Sequence, residues 1–392
     1  MQTRRSFLQL GSSNKVENKN TDILIYVFQR GAADGLNLIV PHGDEDYYAN
    51  RPNIAVAKPN GLNDAALDLD GFFGLNPVMS ALLPIYENKD LAMIHACGEL
   101  GSSHSHFKTQ ADVDRGTMDE GVQSGWLARY ANSSNNVNAT AFKSVALNKS
   151  IPKSLSGAEQ VVALDNIDSF AIKAPESESV ALQAKLLSLF AGKSALDKVA
   201  QATFNGLAEV ASINPEDYPV ENEANYPNSG FGNRFKDLAL LIKSGIGVET
   251  ASIDIGGWDT HNDENATLAV LAKEFADTLA AFYADMGDRM QNITVISLTE
   301  FGRRVAENGS NGTDHGTGNV AFVMGGGVNG GQVFTDWPGL RTQDLVGPGD
   351  LLPTTDYRTV IAELMDKRMN FTNQQELFPD FEVPEYLGVF SR

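Results

Sequence analysis

Val248 to Gly302 read VETASIDIGGWDTHNDENATLAVLAKEFADTLAAFYADMGDRMQNITVISLTEFG. The first ten residues are a short β-branched run closed by two glycines, which predicts a strand. Leu268, Leu271, Phe275, Leu279, Phe282 and Met286 then recur three or four apart, the spacing of one apolar helix face. Asp263 stands where a helix cap belongs. NITVISLTEFG is a second β-branched run. Strand, long helix, strand is the pattern of a parallel pair joined by a helical crossover.

The same alternation extends outward. DILIYVFQRG (Asp22–Gly31), LAMIHACG, SVALN, QVVALDNI and NVAFVMGGG predict further strands. PVMSALLPIYENKD, the span His106 to Tyr130, two stretches between Pro175 and Ile213, NRFKDLALLIKSGIG and TDYRTVIAELMDKRM predict helices. Residues 44–75 are rich in Asp, Asn, Pro and Gly and predict irregular surface structure. The expectation is an α/β fold, doubly wound, with a mostly parallel sheet and helices on both faces. Residues 1–20 form a tail, and 21–392 a single domain with loop insertions.

The balance of 30 basic against 50 acidic side chains leaves a net charge of −20. Nucleic acid and anionic membrane surfaces would be repelled, so neither is expected as a partner. An anionic small molecule is still admissible, because a bound cation inverts the local field. The lone Cys97 excludes an intrachain disulfide and, within an apolar run, reads as a small buried hydrophobe. No apolar run reaches the length of a membrane helix. Arg4-Arg5 followed by Ser6, Phe7 and Leu8 resembles a twin-arginine export signal, but the chain turns polar at Ser12 where an apolar segment should follow. Periplasmic or secreted location is the expectation, with the cytoplasm as the alternative.

Ligands of open parallel sheets bind beyond the carboxyl ends of strands. Asp34 follows the first strand, and His104, Ser105 and His106 follow LAMIHACG. Asp259 and His261 follow VETASIDIGG, while Glu300, Arg303 and Arg304 follow TVISLT. Asp314 and His315 lie just before NVAFVMGGG. Four of the six histidines fall in this set. Mixed Asp, Glu and His side chains are ligands for Zn²⁺, Mn²⁺, Mg²⁺ or Ca²⁺. One such ion, or two, stabilises charge during displacement at phosphorus or sulfur. A serine among them is a candidate nucleophile, and Arg303 or Arg304 has the forked shape that grips an oxyanion.

Two other motifs fail on context. AGKS (Ala191–Ser194) lacks the upstream glycine of a phosphate-binding loop. GGGVNGG (Gly325–Gly331) is followed by QVFTDWPGL, which is no helix.

FQRGAADGLNLIVPHGDEDYYANRP, SHSHFKTQ, GWLARY, GGWDTHND, TEFGRRVAENGSNGTDHGTGN and MGGGVNGG together, in this order, resemble the DUF1501 proteins, from about Asp22 to the C-terminus. That family is often exported by the twin-arginine route, which carries folded proteins, and is placed among alkaline phosphatase/sulfatase-like folds. The resemblance implies a metal-dependent hydrolase of phosphate or sulfate esters, acting on a small anionic substrate. It implies Asp34, Asp259, His261, Glu300, Asp314 and His315 as metal ligands. Ser105 is implied as nucleophile, with His106 beside it and Arg303 stabilising charge. Phe301 stands where related enzymes carry a histidine after the carboxylate. That departure admits the alternative of a binding or assembly protein on the same fold, without turnover.

Overall fold

A computed structural model describes residues 22–133, 140–170 and 176–392. Arg4-Arg5 and the expected tail, residues 1–20, lie outside the described residues. Besides a small three-stranded sheet of Ile39–Val40, Leu67–Asp68 and Gly74–Leu75, the strands in chain order are β1 (Ile23–Arg30), β2 (Leu91–Gly98), β3 (Ser144–Ala146), β4 (Val162–Ala163), β5 (Thr250–Gly256) and β6 (Ile293–Leu298). They continue with β7 (Arg303–Glu307), β8 (Thr313–His315), β9 (Asn319–Gly325), β10 (Val333–Phe334) and β11 (Thr355–Asp356). All but β7 and β8 join one sheet in the order β10-β2-β9-β6-β1-β5-β3-β4, with β11 also on β2. The central β1 runs parallel to both β5 and β6, with Val27 opposite Ile253 and Tyr26 opposite Ile296.

The helices that matter here are α1 (Gly35–Leu38), α2 (Glu45–Asn50), α3 (His106–Arg115), α4 (Trp126–Ser133), α5 (Gly230–Lys243), α6 (Glu264–Met286) and α7 (Tyr357–Lys367). Successive strand residues point to opposite faces. Ile25, Val27, Ile253, Val295 and Phe322 pack with Phe235, Leu268, Phe275 and Phe282 of α5 and α6. Leu24, Tyr26, Phe28, Ile296 and Val323 pack with Val113, Trp126, Leu127, Val360 and Ile361 of α3, α4 and α7. Helices thus cover both faces of a mostly parallel sheet, as the sequence predicts. Among the described residues, no helix is long and apolar enough to cross a membrane.

Four expectations change in detail. The strand NVAFVMGGG, β9, is antiparallel to both neighbours, β2 and β6. A fully buried apolar run carries no mark of its direction. The expected helix from His106 to Tyr130 is two, because Gly116 stops α3 at φ +71°. Asp263 occupies the cap position of α6 at φ +45° but its side chain makes no capping bond. The backbone N–H groups of Asp263 and Glu264 instead donate to Ser310 O and Asn311 O. Finally, Asp314 and His315 lie in a strand of their own, β8, paired with β7 as a two-stranded ribbon.

The carboxyl ends of β1, β2, β5 and β6 share one edge of the sheet, and the start of antiparallel β9 comes to the same edge. Two glycines let the loops there close up. A Cβ on Gly31 (φ +120°) would lie 2.7 Å from Asp259 N, and one on Gly302 would lie 1.8 Å from Gly318 O.

Candidate metal centre

Three imidazoles meet one carboxylate at this edge. His106 opens α3, Asp259 and His261 follow β5, and His315 ends β8. His315 Nε2 lies 3.0 Å from His106 Nε2 and 3.0 Å from His261 Nε2. Asp259 Oδ1 lies 3.3 Å from His106 Nε2, 3.1 Å from His261 Nε2 and 3.2 Å from His315 Nε2. These separations match the ligand-to-ligand edges, about 3.3 Å, of a shell with bonds of roughly 2.0–2.1 Å. His106, Asp259 and His315 form the one group of this kind among the described residues, and His261 adjoins two of its members.

The opposite nitrogen of each ring is already committed. His106 Nδ1 donates to Glu300 Oε1 at 2.7 Å, and His315 Nδ1 donates to His104 O at 2.8 Å. His261 Nδ1 faces Asp314 Oδ1 at 3.4 Å. Holding Nδ1–H in this way turns the Nε2 lone pair forward, the arrangement that supports imidazole ligands of metals. Burial holds His315 below the ordinary histidine range, which favours its neutral form. The hydrogen bond that His106 donates to Glu300 raises the His106 pKa, so that a bound cation must displace a proton there. Burial would raise Asp259, but the Arg303 hydrogen bond and charge outweigh it, and the carboxyl falls to about 2.

Lone pairs of adjacent nitrogens at 3.0 Å, facing a carboxylate oxygen, are mutually repulsive unless something positive lies between them. One proton on His106 relieves only the pairs that His106 makes. A divalent cation relieves them all, and imidazole with carboxylate is a donor set that suits Zn²⁺ or Mn²⁺. The residues therefore fit a metal.

The other expected site residues stand back from this point. Glu300 and Asp314, read from sequence as ligands, lie behind the rings of His106 and His261. Glu300 Oε1 also accepts from Gly31 N and Gln110 Nε2, both at 2.8 Å. Burial pushes Glu300 up, and these bonds more than offset it, leaving it below its usual range. Asp34 is locked elsewhere. It caps α1 through Leu36 N and forms a two-pronged pair with Arg51, the residue ending α2. It also shares a hydrogen bond with buried Glu264, which burial and the Asp34 charge push well above the usual carboxyl range.

Arg303 is fully buried. Its Nε, Nη1 and Nη2 donate to Ala32 O, Thr313 O, Gly31 O and Trp258 O, and Nη2 also reaches Asp259 Oδ1 at 2.7 Å. It is a tether that fixes Asp259, with no face left for an incoming oxyanion. Ser105 is exposed at the N-cap of α3, and its side chain makes no capping bond. Phe301 is buried with its ring 4.9 Å from that of His106 and 5.0 Å from that of His315. In place of the expected histidine it supplies an apolar floor to the cluster. Cys97 is buried, and burial pushes its thiol far up. Sequence reasoning placed His104 at this edge but not its carbonyl as a support. It missed Gln110, which donates to Glu300, Thr299, whose Oγ1 lies 3.0 Å from Glu300 Oε2, and Asp350, whose Oδ2 lies 2.9 Å from His104 Nε2. The only signal was the adjacency in SHSH of His104, whose carbonyl holds a ring, and His106, which belongs to the cluster.

These features define an α/β protein with a histidine–carboxylate cluster at the strand ends of a mostly parallel sheet. The chain belongs to the family described as protein of unknown function (DUF1501), whose profile matches residues 98–380. No curated protein matches it in sequence. Among solved structures it is similar to the lipoteichoic acid synthase LtaP from Listeria monocytogenes, at 10% identity and TM-score 0.32, covering 86% of this chain and 75% of that one. It is also similar to the PH0037 protein from Pyrococcus horikoshii, at 14% identity and TM-score 0.28, covering 93% and 98%. A third is BT1596, a 2-O GAG sulfatase, at 13% identity and TM-score 0.26, covering 79% and 65%. Likeness of this degree says nothing of chemistry, which has to be argued from the site itself.

Proposed function

We propose that the protein is a metal-dependent hydrolase of phosphate or sulfate esters. The observation that carries this reading is the convergence of His106, His261 and His315 Nε2 on Asp259 Oδ1, each ring held from behind by an acceptor. A divalent ion there supplies Lewis-acid polarisation of an ester oxygen. The chain's own groups do the rest. Arg303 and Glu300 keep Asp259 and His106 fixed, Phe301 excludes water from beneath the rings, and Ser105 offers an unengaged hydroxyl one residue from His106. Asp259 keeps about half of its side chain exposed (46%), so the cluster faces solvent and a small substrate reaches it.

The donor count favours a second reading. Three imidazoles and a carboxylate fill a tetrahedral Zn²⁺ site, and filled sites are structural rather than catalytic. A binding or assembly protein with a closed Zn²⁺ centre fits that. An ion that accepts five or six donors, such as Mn²⁺, leaves positions free for substrate.

The test is a panel of aryl phosphate and sulfate esters with the metal-free chain reloaded with Zn²⁺, Mn²⁺, Mg²⁺ or Ca²⁺ in turn. Turnover lost in both His261→Ala and Ser105→Ala supports the hydrolase with a serine nucleophile. Tight metal without turnover on any ester supports the second reading. We further propose export by the twin-arginine route, tested by cell fractionation after changing Arg4 and Arg5 to lysine. Unchanged distribution overturns that.

A further inference from the structure

The side chains that converge on the candidate ion come from separate pieces of chain. Asp259 and His261 lie in the loop between β5 and α6, and His315 ends β8 of the two-stranded ribbon. Donors 3.0–3.2 Å apart stay so only if the two pieces keep their spacing. The ribbon stands outside the main sheet, so strand pairing there does not fix it.

Glu264, the first residue of α6, stands between the two pieces. It is fully buried, which a glutamate rarely tolerates without a partner. Arg51 gives its paired N–H groups to Asp34 and not to Glu264. Instead, Glu264 Oε2 accepts from Thr313 Oγ1 at 2.6 Å and from Thr260 Oγ1 at 3.3 Å, and Oε1 accepts from Asn37 Nδ2 at 3.0 Å. Its carboxyl also shares a hydrogen bond with that of Asp34, and two carboxyl groups do so only with a proton between them. Arg51 meets the charge of Asp34, so the proton belongs to Glu264.

Thr260 is the residue between Asp259 and His261. Thr313 lies two before His315 in β8 and shares its side of the strand. Asp314 between them turns the other way, toward His261 Nδ1 at 3.4 Å and Arg304 at 3.7 Å. One carboxyl oxygen thus grips a hydroxyl from each piece. The backbones meet at the same place. Thr313 N donates to Thr260 O at 3.1 Å, Glu264 N donates to Asn311 O at 2.8 Å, and a Cβ on Gly312 would lie 2.3 Å from the carbonyl carbon of His261.

We infer that Glu264 is the positioning residue of the metal centre, fastening the ribbon that carries His315 to the loop that carries Asp259 and His261. It touches none of the four donors and acts through Thr260 and Thr313. The inference rests on the metal centre of the proposed hydrolase and not on its turnover.

The test is Co²⁺ binding by the full chain, followed by visible d–d absorption, whose intensity reports the number of ligands. Glu264→Leu removes the grip and should weaken Co²⁺ binding about tenfold and alter the band. Thr313→Val removes one hydroxyl with little change of volume and should weaken it about threefold, so it carries the test if Glu264→Leu does not fold. Glu264→Gln keeps an acceptor for the hydroxyls and an N–H for Asp34, and should bind within about threefold of wild type. Phe282→Ala, at the far end of α6, lowers stability by emptying a core site and should leave Co²⁺ affinity unchanged. The metal-free chain gives a second readout. The imidazole ¹⁵N resonances of His261 and His315 should move in Glu264→Leu and Thr313→Val, while that of His42, paired with Asp68 at the surface, should not. Failure of the wild type to bind Co²⁺ sinks the metal centre, and moved resonances then still uphold the grip of Glu264. Bound Co²⁺ without turnover of any ester sinks the hydrolase alone. Affinity and resonances unaltered in the folded variants, a loss in Phe282→Ala equal to theirs, or a loss in Glu264→Gln as large as in Glu264→Leu overturns this inference.

Discussion

Replacing Glu300 by glutamine removes one charge from behind His106 while leaving the shape unchanged. Glu300 Oε1 accepts from His106 Nδ1, Gly31 N and Gln110 Nε2, and a glutamine carbonyl accepts from all three. On the other side, Thr299 Oγ1 donates to Gln29 O at 2.7 Å and accepts from Ala33 N at 3.3 Å, which leaves one lone pair to accept from the new amide. The fold is therefore expected to tolerate Glu300→Gln, and the change isolates the carboxylate's support of the ring. Loss of such support weakens metal affinity roughly 10- to 100-fold, or about 1.4–2.7 kcal/mol. The deficit also depends on pH in a definite direction. Glu300 raises the His106 pKa, so in the metal-free protein His106 holds a proton to higher pH than usual, and metal must displace it. Without the carboxylate that proton is held less firmly, and the variant loses less affinity to proton competition at low pH. The gap between wild type and variant should thus be widest at pH 8 and narrow toward pH 6. Competition with a chromophoric chelator at both values measures it. Equal affinities at pH 8, alongside a clear loss in His106→Ala, would refute the argument.

Three further outcomes follow from the same contacts. Arg303→Met strands four backbone carbonyls inside the protein, frees half-exposed Asp259 from its tether and should cost about 3–5 kcal/mol by urea unfolding, with Arg303→Lys recovering little. Phe275→Ala empties a site between Phe231, Trp258 and Phe322 and should cost about 3–5 kcal/mol, while the metal content per folded chain stays the same. Burial holds His95 at about 4, with Nε2 on Ile39 O and Nδ1 accepting from Ala96 N. Its folded value is below its unfolded one, so it contributes stability that is full above about pH 6.5 and is lost as pH falls toward 4, by up to about 3 kcal/mol. His95→Gln should flatten that part of the pH–stability profile, and an unchanged slope would show that His95 is not its source.

The sheet was legible because a strand buried on both faces must be apolar throughout, as ILIYVFQR and ITVISL are. The apolar face of α6 was legible for the same reason, and Leu268, Phe275, Leu279, Phe282 and Met286 are all buried. The direction of β9 was not, since pairing partners set it. The strand-end rule led to Asp259, His261 and His315, and to His106 with a different part assigned. It could not separate a donor from the group behind it. Whether Glu300 meets an ion or a ring depends on where α3 begins in space, a tertiary fact. Asp34 shows the same limit. Its place after the first strand is that of a ligand, but Arg51, brought round by α2, takes both of its oxygens.

The claim on which everything else rests is that His106, His261, His315 and Asp259 hold one divalent ion. Elemental analysis of the purified full chain, as isolated and after reloading with Zn²⁺, Mn²⁺, Mg²⁺ and Ca²⁺ in turn, measures it directly. The account predicts one tightly held ion per chain, lost in His106→Ala and His315→Ala and retained in Ser105→Ala. No bound ion under any condition, or an ion that survives His315→Ala undiminished, would contradict it.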